Sequence, residues 1–218
     1  MFLEDEEYER HLPHIVPVGK PIFLTWCLKG AVTKPMKEKV ALERERLLKT
    51  PRRLGESEAA QRVRFAKLLF DYGDRLLGET KEGPMHLSDP DAAQVVVDSL
   101  FFGAGERYDL FAFVVMGNHV HVLLTPRWPL SKVTKGIKGF TSWRINEMQR
   151  SHGRVFWQDE SYDHWVRDGD GLPGIIEYIE RNPVAAGLCD APEEWPWSSA
   201  RLRSEWPKGE PWRPGTSK

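Results

Sequence analysis

Two strand-like runs meeting at one dipeptide constrain this chain most. Tyr108–Met116 and His119–Thr125 flank Gly117-Asn118, a two-residue turn of the hairpin kind. An antiparallel hairpin in mid-chain obliges the other elements to pair with it or pack on it. Upstream, Pro21–Lys29 alternates Ile22, Leu24, Trp26 and Leu28 with Phe23, Thr25, Cys27 and Lys29, which predicts a first strand. Between them, Met36–Lys49 reads as a charged helix broken by Pro51, and Ser57–Tyr72 as a helix with Ser57 as N-cap. Val63, Leu68, Leu69 and Phe70 are among the apolar positions of that second helix, and Gly73–Pro90 reads as loop-rich. Asp89-Pro90 then opens a helix running to Gly103. Downstream, Leu130–Arg150 is predicted helical with Leu130, Val133, Ile137, Phe140 and Met148 on one side, Tyr162–Arg167 is a short strand, and Leu172–Asn182 is a helix stopped by Pro183.

The order strand, helices, strand, strand, helix, strand, helix is the split βαβ pattern of a ferredoxin-like α+β fold. The expectation is an antiparallel sheet with helices on one face and a helical insertion after the first strand. Residues 1–218 are read as a single domain, with the insertion at 34–90 and a Trp/Pro-rich tail at 188–218 draped over the core. Residues 1–20 read as an acidic, Pro-containing arm.

Composition excludes several classes. No apolar run approaches the ~18 residues of a membrane span, so no membrane partner is expected. Cys27 and Cys189 are too few for a disulfide framework or a thiolate zinc site. Met1–Arg10 holds five acids and one Arg, the reverse of a secretory leader. Net charge is −1, yet Arg127–Gln158 carries seven basic residues against the single acid Glu147. Such a run is either a solvated helix face or a phosphate-binding surface. Eight of the nine Trp lie at or after Trp128, and base stacking needs exposed rings beside cations.

Two constellations carry chemistry. His119 and His121 are i and i+2 on a strand, so both imidazoles lie on one face, with Val120, Val122 and Leu124 on the other. They serve either as metal ligands or as a hydrogen-bonded pair. Tyr178 and Asn182 are i and i+4 on a helix, at the flank of the stripe Leu172, Ile175, Ile176 and Ile179. There they reach a site on the sheet, or the ring simply packs and the amide caps the helix end. Two imidazole nitrogens and one amide oxygen with open positions would suit Mg²⁺ or Mn²⁺. A phenol beside such an ion could attack a phosphodiester and conserve the bond energy in a phosphotyrosine.

The segment Phe113-Val-Val-Met-Gly-Asn-His-Val-His-Val-Leu-Leu124 resembles the His-hydrophobic-His motif of the HUH single-tyrosine transposases. Four further blocks resemble the REP-associated tyrosine transposase branch: Arg154–Gln158, Tyr162–Arg167, Glu177–Leu188 and Trp195–Ser199. The resemblance covers roughly residues 20–30 and 107–200. It implies an HUH nuclease core acting on single-stranded or hairpin DNA, cytoplasmic and nucleoid-associated, as monomer or homodimer. By motif, it implies His119, His121 and Asn182 as ligands of Mg²⁺ or Mn²⁺ and Tyr178 as nucleophile. Tyr162 competes for that last role, but Tyr178 has an Asn one helical turn later. Gly117 replaces the family's usual Pro, and either suits a turn. Charge alone, not the motif, nominates Lys132, Lys135, Lys138, Arg144, Arg154 and Arg181 for DNA contact. The alternatives are a domesticated relative that binds hairpin DNA or RNA without cutting, and a metal-dependent phosphoesterase using water.

Overall fold

The computed structural model describes residues 6–9, 13–16, 19–159, 162–165 and 171–213. Its strands are β1 (Glu6–Glu9), β2 (Pro13–Val16), β3 (Ile22–Cys27), β4 (Tyr108–Val115), β5 (His119–Pro126) and β6 (Tyr162–Trp165). Its α-helices are α1 (Lys34–Leu48), α2 (Glu58–Glu79), α3 (Pro90–Gly103), α4 (Leu130–Met148) and α5 (Leu172–Ala185). Within the acidic N-terminal segment, β1 and β2 pair antiparallel with each other. The main sheet has the order β4-β5-β3-β6 and is antiparallel throughout. That is the ferredoxin-like arrangement the element order predicts. The final residues of the expected strand Tyr162–Arg167 lie outside the described residues.

The period-2 alternation of the strands divides the core into two layers. Ile22, Leu24, Trp26, Val120, Val122 and Leu124 face the crossover helices, against Ala92, Val96 and Leu100 of α3 and Leu130, Val133 and Ile137 of α4. Phe23, Ala112, Val114 and Leu123 face the opposite way, against Ile176 and Ile179 of α5, with Phe70 of α2 packed beside them. A bulge between Leu110 and Ala112 inserts one residue into β4. It lets Leu110 and Phe113 both enter the α3/α4 layer despite their odd spacing. The crossover helices thus share one face, while α5 and α2 close the other, and the histidines lie on that second face.

Three local expectations are corrected. First, α2 does not end at Tyr72: it continues through Gly73 to Glu79, inside the stretch read as loop. A mid-helix glycine costs only ~1 kcal/mol. Here it faces α1, where an added Cβ would sit 3.8 Å from Val40 Cγ2. Burial of Leu77 on the main core offsets that cost. Second, Pro183 does not stop α5, which runs to Ala185. Proline removes one N–H and crowds the carbonyl four residues back. With Ala186 capping the helix and Gly187 (φ 69°) turning the chain beyond it, only the last turn is affected, and Leu188 N–H donates to Pro183 O at 2.9 Å. Third, Phe140 and Met148 are exposed, as are Val63 and Leu68. In α4 the buried stripe runs instead through Thr141 and Ile145, and Thr141 Oγ1 accepts from Trp157 Nε1 at 3.0 Å.

The tail after Gly187 covers the free edge of β4. Val115 N–H donates to Trp197 O at 2.9 Å, and Trp212 N–H to Leu110 O at 2.8 Å. A sheet edge left bare would be a template for pairing with other chains. The tail is pinned by Arg203, whose Nε donates to the buried Glu180 of α5 at 2.6 Å.

Candidate active site

β5 carries His119 and His121 inward, both fully buried, with ring centroids 4.7 Å apart. Each Nδ1 is held by a neighbour. Asn118 Nδ2 donates to Leu77 O at 2.9 Å, which turns its Oδ1 toward His119 Nδ1 at 2.6 Å. His119 therefore keeps its proton on Nδ1 and presents a bare Nε2. Thr25 Oγ1 on the paired strand β3 contacts His121 Nδ1 at 2.7 Å. Such second contacts fix ring orientation in metal-ligating histidines.

The turn Gly117-Asn118 is tight, with Met116 N–H donating to His119 O at 2.9 Å, but neither residue has positive φ. Gly117 instead allows close approach. A Cβ there would fall 2.6 Å from Ser88 Oγ and 2.9 Å from Met85 Cε, both ends of exposed side chains that can turn away.

From the other side α5 delivers Tyr178 and Asn182, both half-buried. The Tyr178 hydroxyl donates to Asp74 Oδ2, and Asn182 Nδ2 lies 3.1 Å from the same oxygen and 3.2 Å from His121 Nε2. As placed, Asn182 turns its nitrogen to the cluster, and a half-turn of the amide would present Oδ1 instead. Phe23 and Phe70 pack around the phenol ring.

Asp74 was missed in the sequence. It sits on the part of α2 read as loop, and it completes a buried cluster with His119 and His121 whose ligand atoms lie within 4.8 Å of one another. Its signal was an acid in core register: Phe70, Asp74 and Leu77 are i, i+4 and i+7 on one helix face. Burial pushes its carboxyl upward. The nearby His121 and His119 imidazoles and the Tyr178 hydroxyl outweigh that and hold it well below the usual carboxylate range. Burial, and then the neighbouring His121, lower His119 to about 3, so it is neutral at pH 7.

Electrostatics then make a specific demand. His119 Nε2 and Asp74 Oδ1 are buried, accept no hydrogen bond and lie 3.8 Å apart, and His121 Nε2 is 3.1 Å from the same oxygen. Lone pairs facing one another in a water-poor site are costly unless a cation lies between them. Two imidazoles and a carboxylate, with an amide beside them, form a mixed N/O donor set that fits a divalent cation.

The six nominated basic residues do not converge here. Lys132, Lys135 and Arg144 are exposed on α4, which covers the opposite face of the sheet. Lys138 Nζ donates to Gln158 O at 2.6 Å, and Arg154 Nε donates to Asn146 Oδ1 at 2.9 Å, so both tie down the loop after α4. Arg181 is exposed on α5, one residue from Asn182. Tyr162 pairs with Thr25 across β3 and β6, and its side chain lies outside the described residues.

A solved REP-associated tyrosine transposase bound to a REP hairpin has the same fold: TM-score 0.52 at 14% identity, over 91% of this chain and 85% of that one. A Haemophilus influenzae protein named as a REP-associated tyrosine transposase is 37% identical over 43 residues, 20% of this chain. That match spans 24% of the relative's own length. No α-helix among the described residues is long and apolar enough to cross a membrane. Residues 102–182, which hold both histidines, Tyr178 and Asn182, match the family described as IS200-like transposases.

Proposed function

We propose that this chain nicks and joins single-stranded DNA at hairpin-containing sequences, through a 5′-phosphotyrosine formed on Tyr178. The observation that carries the reading is the meeting of Tyr178 Oη with a buried Asp74–His119–His121 cluster that holds unshared lone pairs. The hairpin in the solved neighbour supports the same class of DNA partner.

His119 Nε2, His121 Nε2 and Asp74 Oδ1 would hold the divalent ion, with Asn182 Oδ1 after a turn of its amide. When bound, Mg²⁺ or Mn²⁺ would supply Lewis-acid polarisation of the scissile phosphate and neutralise charge. The protein's own groups set up the attack. Asp74 Oδ2 accepts the Tyr178 hydroxyl and aims its oxygen. A free phenol has pKa ~10 and a carboxylate ~4, so outright proton transfer would cost ~8 kcal/mol. Asp74 is therefore first a positioning group. The proton shifts toward Oδ2 only as the oxygen's charge passes to phosphorus. The new bond is Tyr178 Oη to phosphorus, the bond broken is phosphorus to the 3′-oxygen, and that oxygen leaves as a hydroxyl with a proton from solvent. Arg181, exposed one residue before Asn182, would meet the strand's phosphates.

The test is a covalent-adduct assay with labelled hairpin-bearing single strands and Mn²⁺ or Mg²⁺, resolved on denaturing gels. Wild type should give a metal-dependent adduct, and Tyr178→Phe and His119→Ala none. An undiminished adduct with Tyr178→Phe would move the nucleophile elsewhere, Tyr162 first. Tight hairpin binding by wild type with no adduct would assign the chain to the domesticated binder instead.

A further inference from the structure

On the sheet face away from the histidines, a cavity of about 360 Å³ opens between α3 and α4, within the range of small-molecule sites. Phe102, Arg107, Tyr108, Gly136, Ile137 and Phe140 line it. Gly136 makes the space: an added Cβ there would meet nothing within 4 Å. Phe102 and Phe140, 73% and 50% exposed, offer free ring surface at the mouth. The Arg107 guanidinium lies 5.0 Å from the Phe102 ring centre and 5.2 Å from that of Trp128. Its Nε is buried without a hydrogen-bond partner among the described residues. Asp98 also lines the cavity and accepts from Gln94 Nε2 at 2.8 Å.

The outer face of α4 continues the pattern. At ~100° per residue, Lys132, Lys135, Gly136, Gly139, Phe140 and Trp143 fall within one arc, away from the buried stripe. Lys132, Lys135 and Arg144 are exposed, and none forms an ion pair among the described residues. Phe140 and Trp143 lie side by side with ring centres 6.2 Å apart. Unneutralised cations, side-chain-free helix positions and upright rings, all beside an apolar slot, match a polyanion that carries flat aromatic groups.

We propose that this slot binds an unpaired base of a DNA strand, stacked on Phe140 and Phe102 within reach of Arg107, while Lys132 and Arg144 hold the flanking phosphates. The choice of DNA as partner rests on the function proposed above, but the site is separate from the metal cluster and independent of cleavage.

The experiment compares full-length protein binding to labelled oligothymidine and to an abasic strand of equal length, in chelator so that no cleavage intervenes. The two probes carry equal charge and differ only in bases. Wild type should bind oligothymidine about tenfold more tightly, the scale of one stacked base. Gly136→Leu, which fills the slot, and Phe140→Ala, which removes an exposed platform, should each bring the two affinities together. Both variants should keep the wild-type response to Mn²⁺, which reports the far face. Equal affinities in wild type, or a preference surviving in either variant, would overturn the slot. Tyr178→Phe should leave the preference intact, so loss of adduct chemistry and loss of base binding are read separately.

Discussion

Replacing Asp74 by Asn separates the two demands on that carboxylate. In the metal-free protein the change should cost only hydrogen-bond strength. Asparagine keeps an acceptor for the Tyr178 hydroxyl and gains an N–H for the bare Nε2 of His119, now 3.8 Å from Oδ1. It loses the charge that the fold favours and the charge assistance to its hydrogen bonds, so the net cost in chelator should be about 1–3 kcal/mol. With Mn²⁺ the balance differs. At about a hundred times its dissociation constant, an ion stabilises wild type by ~2.7 kcal/mol. For a chain of this size that is a rise in Tm of roughly 5–11 °C. Losing a charged ligand oxygen should weaken affinity at least ~10- to 100-fold, the scale reported for the outer partners of ligands. The same Mn²⁺ would then supply ~1.4 kcal/mol or less. Thermal melts of both proteins should thus differ by a fixed offset in chelator and by a larger gap in Mn²⁺. An equal Mn²⁺-dependent rise in both would remove Asp74 from the ligand set, and no rise in wild type would refute the cluster as a metal site.

Acid should destabilise the metal-free protein earlier than its carboxylates alone require. The folded pKa of His119, about 3, lies below its unfolded value near 6.5, so stability is complete above pH 6.5 and falls as the unfolded chain takes up the proton. The share lost to this group at pH 5 is about 2 kcal/mol, and urea titrations of wild type and His119→Asn at pH 7 and 5 should differ by that amount. Asp74, also shifted downward, adds its loss only at lower pH, beneath the normal carboxylate range. Gly103→Ala should cost about 1–3 kcal/mol, because the new Cβ would meet the Tyr108 ring at 2.6 Å and that ring is buried with its hydroxyl on Leu100 O; a melt within error of wild type would refute it. Arg203→Ala should cost up to about 3–5 kcal/mol by leaving the buried Glu180 with only Ser199 Oγ at 2.7 Å and the Lys208 ammonium at 4.0 Å. Glu180→Gln combined with Arg203→Ala should recover part of that, and strict additivity of the two changes would show that they do not act as a pair.

What the sequence made legible follows from the range of each signal. The hairpin, the first strand and the Asp89-capped α3 announce themselves within a few residues, through period-2 patterning or a cap that accepts from Asp91 N at 3.0 Å. His119 with His121, and Tyr178 with Asn182, were legible as pairs for the same reason: each pair rides on one element whose period fixes its geometry. Local punctuation misled where tertiary packing outweighed it. Gly73 and Pro183 read as stops, yet each disturbs a single turn: Asp74 and Leu77 are buried just beyond the first, and Pro183 is itself buried in line with Ile176 and Ile179. The least legible component, Asp74, is also the one that turns two pairs into a site. It lies 45 residues before His119 on a helix inserted between β3 and α3, and it becomes a ligand candidate only because α2 folds back against α5. Helix α2 also supplies Leu77 O, which orients Asn118 and through it sets the His119 tautomer. The inserted helix therefore governs both the charge at the cluster and the direction of a lone pair within it. Its length past Gly73 is a requirement of the site: a helix ending at Tyr72 would leave His119 Nε2 with no carboxylate opposite and Asn118 with no carbonyl to hold it.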